Sequence, residues 1–518
     1  MSTAEPGLGS SKLTRRRFLG KMGAGAAGAV AVGSGVLSNP ELAHAERSRG
    51  DRFGRMFDDL PPFAENSSRL RTALGEIGRP GGMLDAHDAL DRGPVDLIVD
   101  PGLSVNNRNN PTHTAGTTFM GQFMDHDMTF DTTSRLARPK SPQGAPNSRT
   151  PSFDLDSVYG GGPTLSPHLY DPSDRVKLKV ESGGLFEDLP RTADATALIA
   201  DPRNDENLVI AGLHAAFLLF HNHAVDEVRS QGYSDPDVVF ARARRLLTWH
   251  YHWLILHEFL PLFVGQSRVD AILAAGRRFY RPNGDAFIPV EFQGAAYRFG
   301  HSMVRPSYRA NLAGDAGGPF FAMIFEPTQF GQPDPDDLTG GSRAPRRFIG
   351  WQTFFAFDAE VKPNKRIDTR LSTPLFQLPA SAIAGPEGEP TALPQRNLLR
   401  HITWGIPSGQ AIADEIGADR LLPSDLQELA QLGLGLEQST PLWFYVLKEA
   451  ELMADGLHLG PVGGTIVGEV IIGLLQLDPA SFLTVEPGWQ PTLPSRSGEF
   501  RMIDFLTFAG VDPETRGQ

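Results

Sequence analysis

Residues 119–131, FMGQFMDHDMTFD, set a single histidine among carboxylates. At about 100° per residue, Phe119, Met120, Phe123, Met124 and Met128 make one apolar stripe, while Gln122, Asp125 and His126 gather on another face. Asp127 falls inside the apolar stripe, where burying an unpaired carboxylate is costly, so a cation is expected beside it. Further on, TPSFDLD places Thr150, Ser152, Asp154 and Asp156 at alternate positions, and an extended loop would turn four oxygen ligands to one side. That hard-oxygen set suits calcium. Gly and Glu do not follow at the required offsets, so the loop is not an EF-hand. A basic side chain is the alternative partner for Asp127.

Two other segments carry residues capable of chemistry. In ADPRNDENLVIAGLHAAFLLF, Arg203 sits just ahead of a helix and Glu206 in its first turn; the helix dipole alone explains such an acid, and surface exposure the arginine. AAYRFGHSMVRP places His301 in a helix with Tyr297 and Met303 nearby, where a lone histidine is more often a core residue than a ligand. HNHAVDE and WHYHWLILHE suggest zinc, but His257 and Glu258 are followed by Pro261 where a second ligand histidine belongs. His214, His221, His223, His250 and His252 therefore read as structural.

The elements that must position these groups are mostly helical. ENLVIAGLHAAFLLFHNHAVDEVRSQG, DVVFARARRLLTWHYHWLILHEFLPLFVG and QSTPLWFYVLKEAELM sustain a 3.6-residue apolar period, and strand-like alternation is scarce. Pro, Gly and Asn crowd residues 104–116, ahead of the His126 helix, and residues 135–152 follow it as a loop. Residues 313–345 read as a long irregular connection. The expected class is mainly α.

Composition narrows the chemistry. The 518 residues carry a net charge of −13, which argues against a nucleic-acid partner. Cysteine is absent, which removes disulfides, zinc-thiolate and iron–sulfur sites and thiol nucleophiles, and makes any dimer non-covalent. TRRRFLGK, a weakly apolar Gly/Ala-rich run and AHA resemble a twin-arginine export signal cleaved after Ala45. The apolar run is shorter than the roughly 20 residues a membrane-spanning helix needs. Export by the twin-arginine machinery to the periplasm or exterior is expected, with no membrane span after cleavage. Length alone suggests roughly three domains.

Five separated segments, in order, resemble the animal-type haem peroxidases of the peroxidase–cyclooxygenase superfamily. GQFMDHD is similar to their distal-histidine helix, TPSFDLDSVYG to the calcium loop, DPRNDEN to the distal-arginine turn and YRFGH to the proximal-histidine helix. NLLRHITWGIP resembles the segment that supplies an asparagine behind the proximal histidine. The resemblance spans roughly residues 100–515 and replaces the three-domain expectation by one. It implies a signal at 1–45, an extension at 46–100 and a large single haem peroxidase domain at 101–518, built around a central helix bundle with long loops.

It also implies roles. His126 would be the acid–base catalyst toward hydrogen peroxide, Arg203 the stabiliser of developing negative charge, and Gln122 the holder of a distal water or small anion. His301 would ligate the iron of haem b, with Asn397 accepting from its other nitrogen and keeping the imidazole more neutral than a carboxylate would. Arg298 would meet a haem propionate. Asp125 and Glu206 stand where mammalian members form ester bonds to haem, and esterification would remove an Asp125 charge that otherwise raises the pKa of His126. Asn207 excludes a third, sulfur-linked bond. Calcium would take Asp127, Thr150, Ser152, Asp154 and Asp156. The expected activity is peroxide reduction with oxidation of a small halide, thiocyanate or phenolic donor. The alternatives are a fatty-acid dioxygenase of the same superfamily and a non-enzymatic, exported calcium-binding adhesion or matrix protein.

Overall fold

The computed structural model describes residues 52–182, 185–341, 345–358, 361–383 and 388–518. The expected export signal lies outside them. Helices dominate, as the apolar period predicts, and the strands form two-stranded pairs.

Strand β1 (Phe53–Gly54) pairs in parallel with β3 (Ile288–Pro289), tying the start of the described chain to its middle. Helix α1 (Ser68–Ile77) opens on Ser67, whose hydroxyl accepts from Leu70 N at 3.1 Å, and buries Leu70, Ala73, Leu74 and Ile77 at helical spacing. Strand β2 (Asn109–Thr114) pairs antiparallel with β6 (Pro363–Lys365) and leads directly into α2 (Ala115–Met128). The α2 stripe is buried as its spacing requires: Phe119, Met120, Phe123, Met124 and Met128 are core residues, and Gln122 and Asp125 are half-buried.

Two long helices back α2. Helix α3 (Leu208–Ser230) is capped by Asn207, which accepts from Ile210 N at 3.0 Å. It is apolar enough and long enough to cross a membrane, but 83% of its most apolar window is buried inside the protein. Helix α4 (Pro236–Leu254), capped by Asp235, packs along α3 and runs into one π-helical turn, Ile255–Phe259. That turn brings Phe259 to the cleft described below.

The segment carrying His301 is not one α-helix. A 3₁₀ turn (Ala296–Phe299) passes into α5 (Gly300–Met303), and Pro306 follows closely. Residues 313–345, expected to be irregular throughout, begin inside a hairpin of β4 (Ser307–Asp315) and β5 (Gly318–Met323). Its turn residues, Ala316 and Gly317, have φ of 50° and 89°, the left-handed pair that matches strand twist. Alanine is a poor signal for that conformation, so the hairpin was hidden. Helix α6 (Leu393–Trp404) ends on Gly405 in the left-handed region and packs against α1 and α7 (Leu442–Ala454), with α8 (Pro461–Leu477) behind α7.

Candidate active site

A cleft with about 1400 Å³ of empty space, open solvent at its mouth included, collects side chains from α2, the 3₁₀ turn Pro202–Asp205, α5 and α6. Gln122, Asp125, His126, Arg203, Glu206, Arg298 and His301 all line it. Asn397 stands directly behind His301.

His126 is buried, and its Nδ1 lies 2.9 Å from Asn204 Oδ1. Burial, reinforced by the Arg203 charge, pushes its pKa down to about 3, so the ring is neutral near pH 7. Nε2 is 3.8 Å from Glu206 Oε1. Arg203 is clamped by Asp201, with Nε to Oδ1 at 3.0 Å and one terminal nitrogen to Oδ2 at 2.8 Å. The same nitrogen donates to the His126 carbonyl at 3.0 Å, and the guanidinium lies 4.1 Å above the Phe130 ring. Burial would raise the Asp201 carboxyl, but Arg149 and Arg203 outweigh it and hold the group well below the usual range.

Two expectations need correction. The carboxylate facing the His126 ring is Glu206, not Asp125; neighbours on a helix point about 100° apart, and Asp125 turns instead to Arg203, at 3.6 Å. An Asp125 charge is therefore not what threatens the base. Gln122 is also not free to hold a ligand: its Nε2 donates to Glu206 Oε1, and its Oε1 accepts from Asn207 Nδ2 at 3.3 Å. It braces Glu206. Burial raises the Glu206 carboxyl to about 8 and raises Asp125 as well, with Arg203 opposing both.

His301 lies 2.8 Å, through Nδ1, from the Asn397 amide nitrogen, while Asn397 Oδ1 is buried without a partner. Exchanging the two ends of that amide lets Oδ1 accept the Nδ1 proton and leaves Nε2 of His301 for the cleft. That is the arrangement an iron-ligating histidine needs. Arg298 donates through Nε to the Gln293 carbonyl at 2.7 Å, and burial lowers its pKa to about 9. Arg396 and Arg400 add two further guanidinium groups to the same wall. Two histidines on one cleft, an acceptor waiting for a proton, and cations for two carboxylates fit haem.

The second cluster forms around Asp127. Oxygens of Asp127, Asp154 and Asp156 lie within 4.8 Å of one another. Burial, then the neighbouring carboxylates, pushes Asp127 well above the carboxylate range and Asp154 to about 7. Three crowded acids of this kind fit a hard cation. The loop is not extended, however. Leu155 sits in the left-handed region (φ 60°, ψ 34°) and Asp156 starts a helical turn, so the alternating pattern breaks there. Ser152 Oγ consequently points away, donating to Asp478 at 3.0 Å, and Thr150 Oγ1 donates to Asp156 at 3.3 Å. Arg149 bonds Asp201 and Asp156, at 2.7 and 3.2 Å, rather than taking Asp127.

The histidines read as structural are engaged accordingly. His221 meets Tyr159 OH at 2.9 Å and the Val176 carbonyl at 2.8 Å, His250 the Leu246 carbonyl at 2.7 Å, His252 the Phe153 carbonyl at 2.9 Å, and His223 the Phe508 carbonyl at 2.8 Å. His214 differs. It lies 2.8 Å from Asn204 Nδ2, one residue removed from His126. Asn204, Asp201, His214, Arg396 and Arg400 were missed in the sequence. Asp201 carried a signal, as a capping residue ahead of Arg203; the others had none that spacing could reveal.

Residues 131–341 match the profile of the family described as animal haem peroxidase. His126 lies just ahead of that segment and Asn397 beyond it. A human protein described as a probable oxidoreductase, PXDNL, is 25% identical over 205 residues, 35% of this chain but only 14% of that much longer relative. Among solved structures, peroxidase A from Dictyostelium discoideum is 17% identical with a TM-score of 0.59, covering 84% of this chain and 89% of that one. A fatty acid alpha-dioxygenase from Arabidopsis thaliana is 13% identical with a TM-score of 0.56, covering 84% and 73%. At those identities the structural likenesses establish the fold.

Proposed function

We propose, from the match of residues 131–341 to the animal haem peroxidase family, that this chain reduces hydrogen peroxide at a bound haem and oxidises a small halide, thiocyanate or phenolic donor. The carrying observation is the pairing of a neutral His126 with a His301 backed by Asn397 on the same cleft. Bound there, haem would supply the iron and the electrons that split the peroxide O–O bond. His126, through a bare Nε2, takes a proton from one peroxide oxygen and returns it to the other, which departs as water. Arg203, fixed by Asp201, stabilises the negative charge developing on the departing oxygen. His301 would hold the iron through Nε2, and Arg298 and Arg400 would pair with the carboxylates of haem. Asp127, Asp154 and Asp156 would hold calcium, and Asp125 and Glu206 would carry the ester bonds.

The dioxygenase reading shares the fold but not the reacting group. By the resemblance, fatty-acid oxygenases place a tyrosine three residues before the proximal histidine; Arg298 occupies that place, and the Tyr297 hydroxyl is committed to the Gly121 carbonyl at 3.0 Å. Purified protein should show haem absorbance, oxidise small donors with peroxide, and consume no oxygen with linoleate. Linoleate-dependent oxygen uptake abolished in Tyr297→Phe would promote the dioxygenase, and a chain that takes up no haem would leave the calcium-binding adhesion protein.

A further inference from the structure

A histidine base works in only one tautomer, and the second ring nitrogen of His126 meets Asn204, a residue of the DPRNDEN turn that the resemblance leaves without a role. Asn204 is fully buried, with Oδ1 at 2.9 Å from His126 Nδ1 and Nδ2 at 2.8 Å from His214 Nδ1. An amide has one accepting end and one donating end, so the two imidazoles cannot both carry a proton at Nδ1. With Oδ1 toward His126, that ring is Nδ1–H and its Nε2 is bare, while His214 keeps its proton at Nε2. The reversed amide would place a proton on His126 Nε2, where it could accept nothing from a substrate.

We infer that Asn204 is a positioning residue for the peroxide reaction, setting the base-competent tautomer of His126 against the opposite tautomer of His214. The inference rests on the peroxidase reading above. The surroundings hold the turn that carries the amide in place. Asn204 sits inside the 3₁₀ turn Pro202–Asp205, whose start Asp201 caps by accepting from Arg203 N at 2.9 Å. The far side of that turn is closed by Gly340, which donates to the Glu206 carbonyl at 3.1 Å and where any Cβ would overlap the Asp205 carbonyl. His214 is equally buried, on α3. Both hydrogen bonds are thus sealed from water, and a lost partner is not replaced by solvent.

Nitrogen-15 spectra of histidine-labelled protein, with His126 assigned by its loss in His126→Ala, read the tautomer with or without haem. Nδ1–H at His126 is expected; Nε2–H overturns the inference. On haem-loaded protein, hydrogen cyanide must surrender its proton to bind, whereas nitric oxide has none to give. Asn204→Leu should slow hydrogen cyanide binding on the order of 10–100-fold, as loss of other orienting partners does, and leave nitric oxide binding unchanged. Asn204→Asp, which keeps the acceptor, should restore most of the rate. Unchanged cyanide binding in Asn204→Leu, or equal slowing of both ligands, would overturn the positioning role. Failure of the peroxidase reading is distinct: wild type would take up no haem, or His126→Ala would react with peroxide normally, while the tautomer remains readable.

Discussion

His126 and His301 share one cleft, yet replacing each should fail in its own way. His301→Ala should lose most bound haem, because no other imidazole among the described residues lines that wall; His126→Ala should keep haem and lose peroxide reactivity by roughly 10²–10⁴, the usual share of an acid–base group. Full activity in His126→Ala, measured by stopped-flow absorbance, would remove the distal assignment. At the same scale, burial favours neutral forms of Asp125 and Glu206, and an ester is a neutral form. Haem should resist acid–organic extraction from peroxide-treated wild type and come free from the Asp125→Ala, Glu206→Ala double variant. Haem extracted from wild type would leave both as hydrogen-bonding acids. Single residue types were the most legible part of this site: His126, Arg203 and His301 stand in recognisable runs and meet in one place. Side-chain direction was not legible, which is why Asp125 and Glu206 exchange roles beside His126, and why Gln122 proves to be a brace.

The short elements do more of the positioning than the long ones. The turn Pro202–Asp205 presents Arg203 and Asn204, with Glu206 at its end, and Arg149 joins it to the acidic cluster through Asp201 on one side and Asp156 on the other. A cation on Asp127, Asp154 and Asp156 is therefore two side chains away from the guanidinium that faces the cleft. Asp127→Ala should lose bound calcium, lower stability by roughly 1–3 kcal/mol, and reduce peroxide reactivity although residue 127 lines no part of the cleft. Metal analysis showing unchanged calcium would place the ion elsewhere. Helices with a sustained period were readable in advance, since burying one face dictates their spacing. The β4–β5 hairpin, the π turn after α4 and the left-handed Leu155 were not, because each depends on backbone conformations that alanine and leucine do not advertise.

Across the whole molecule, buried acids set how stability responds to pH. Burial raises Glu206 to about 8 and Asp154, Glu258, Asp368 and Glu449 to about 7, from ordinary values of 3.8 to 4.5. At pH 6.5 the unfolded chain has already released these protons while the folded chain holds most of them and gives them up only as pH rises through 7 to 8, so folding weakens through that window. Burial also lowers His113, His126, His214, His221, His250 and His401 to about 3 or 4; at pH 6.5 their unfolded forms are still half-charged, so they oppose this fall at the bottom of the window and cease to matter about one pH unit higher. Lys365, lowered to about 7 by burial, works with the histidines; the five acids, joined by Asp127, Asp125 and Glu291, which burial also raises, outweigh them. Metal-free protein should therefore be less stable to denaturant at pH 8 than at pH 6.5, and calcium should recover part of the difference by favouring ionised Asp154. Equal or greater stability at pH 8 would contradict these shifts. Helix α3 bears on the export that the sequence leads one to expect, were the chain to cross a membrane. Its 23 residues satisfy the length and hydropathy by which a lipid bilayer retains a passing segment. Threaded unfolded through a channel that opens sideways to lipid, the chain would stall there and lodge. Folded first, it offers the bilayer nothing to hold, because the retaining surface has already been spent on the core.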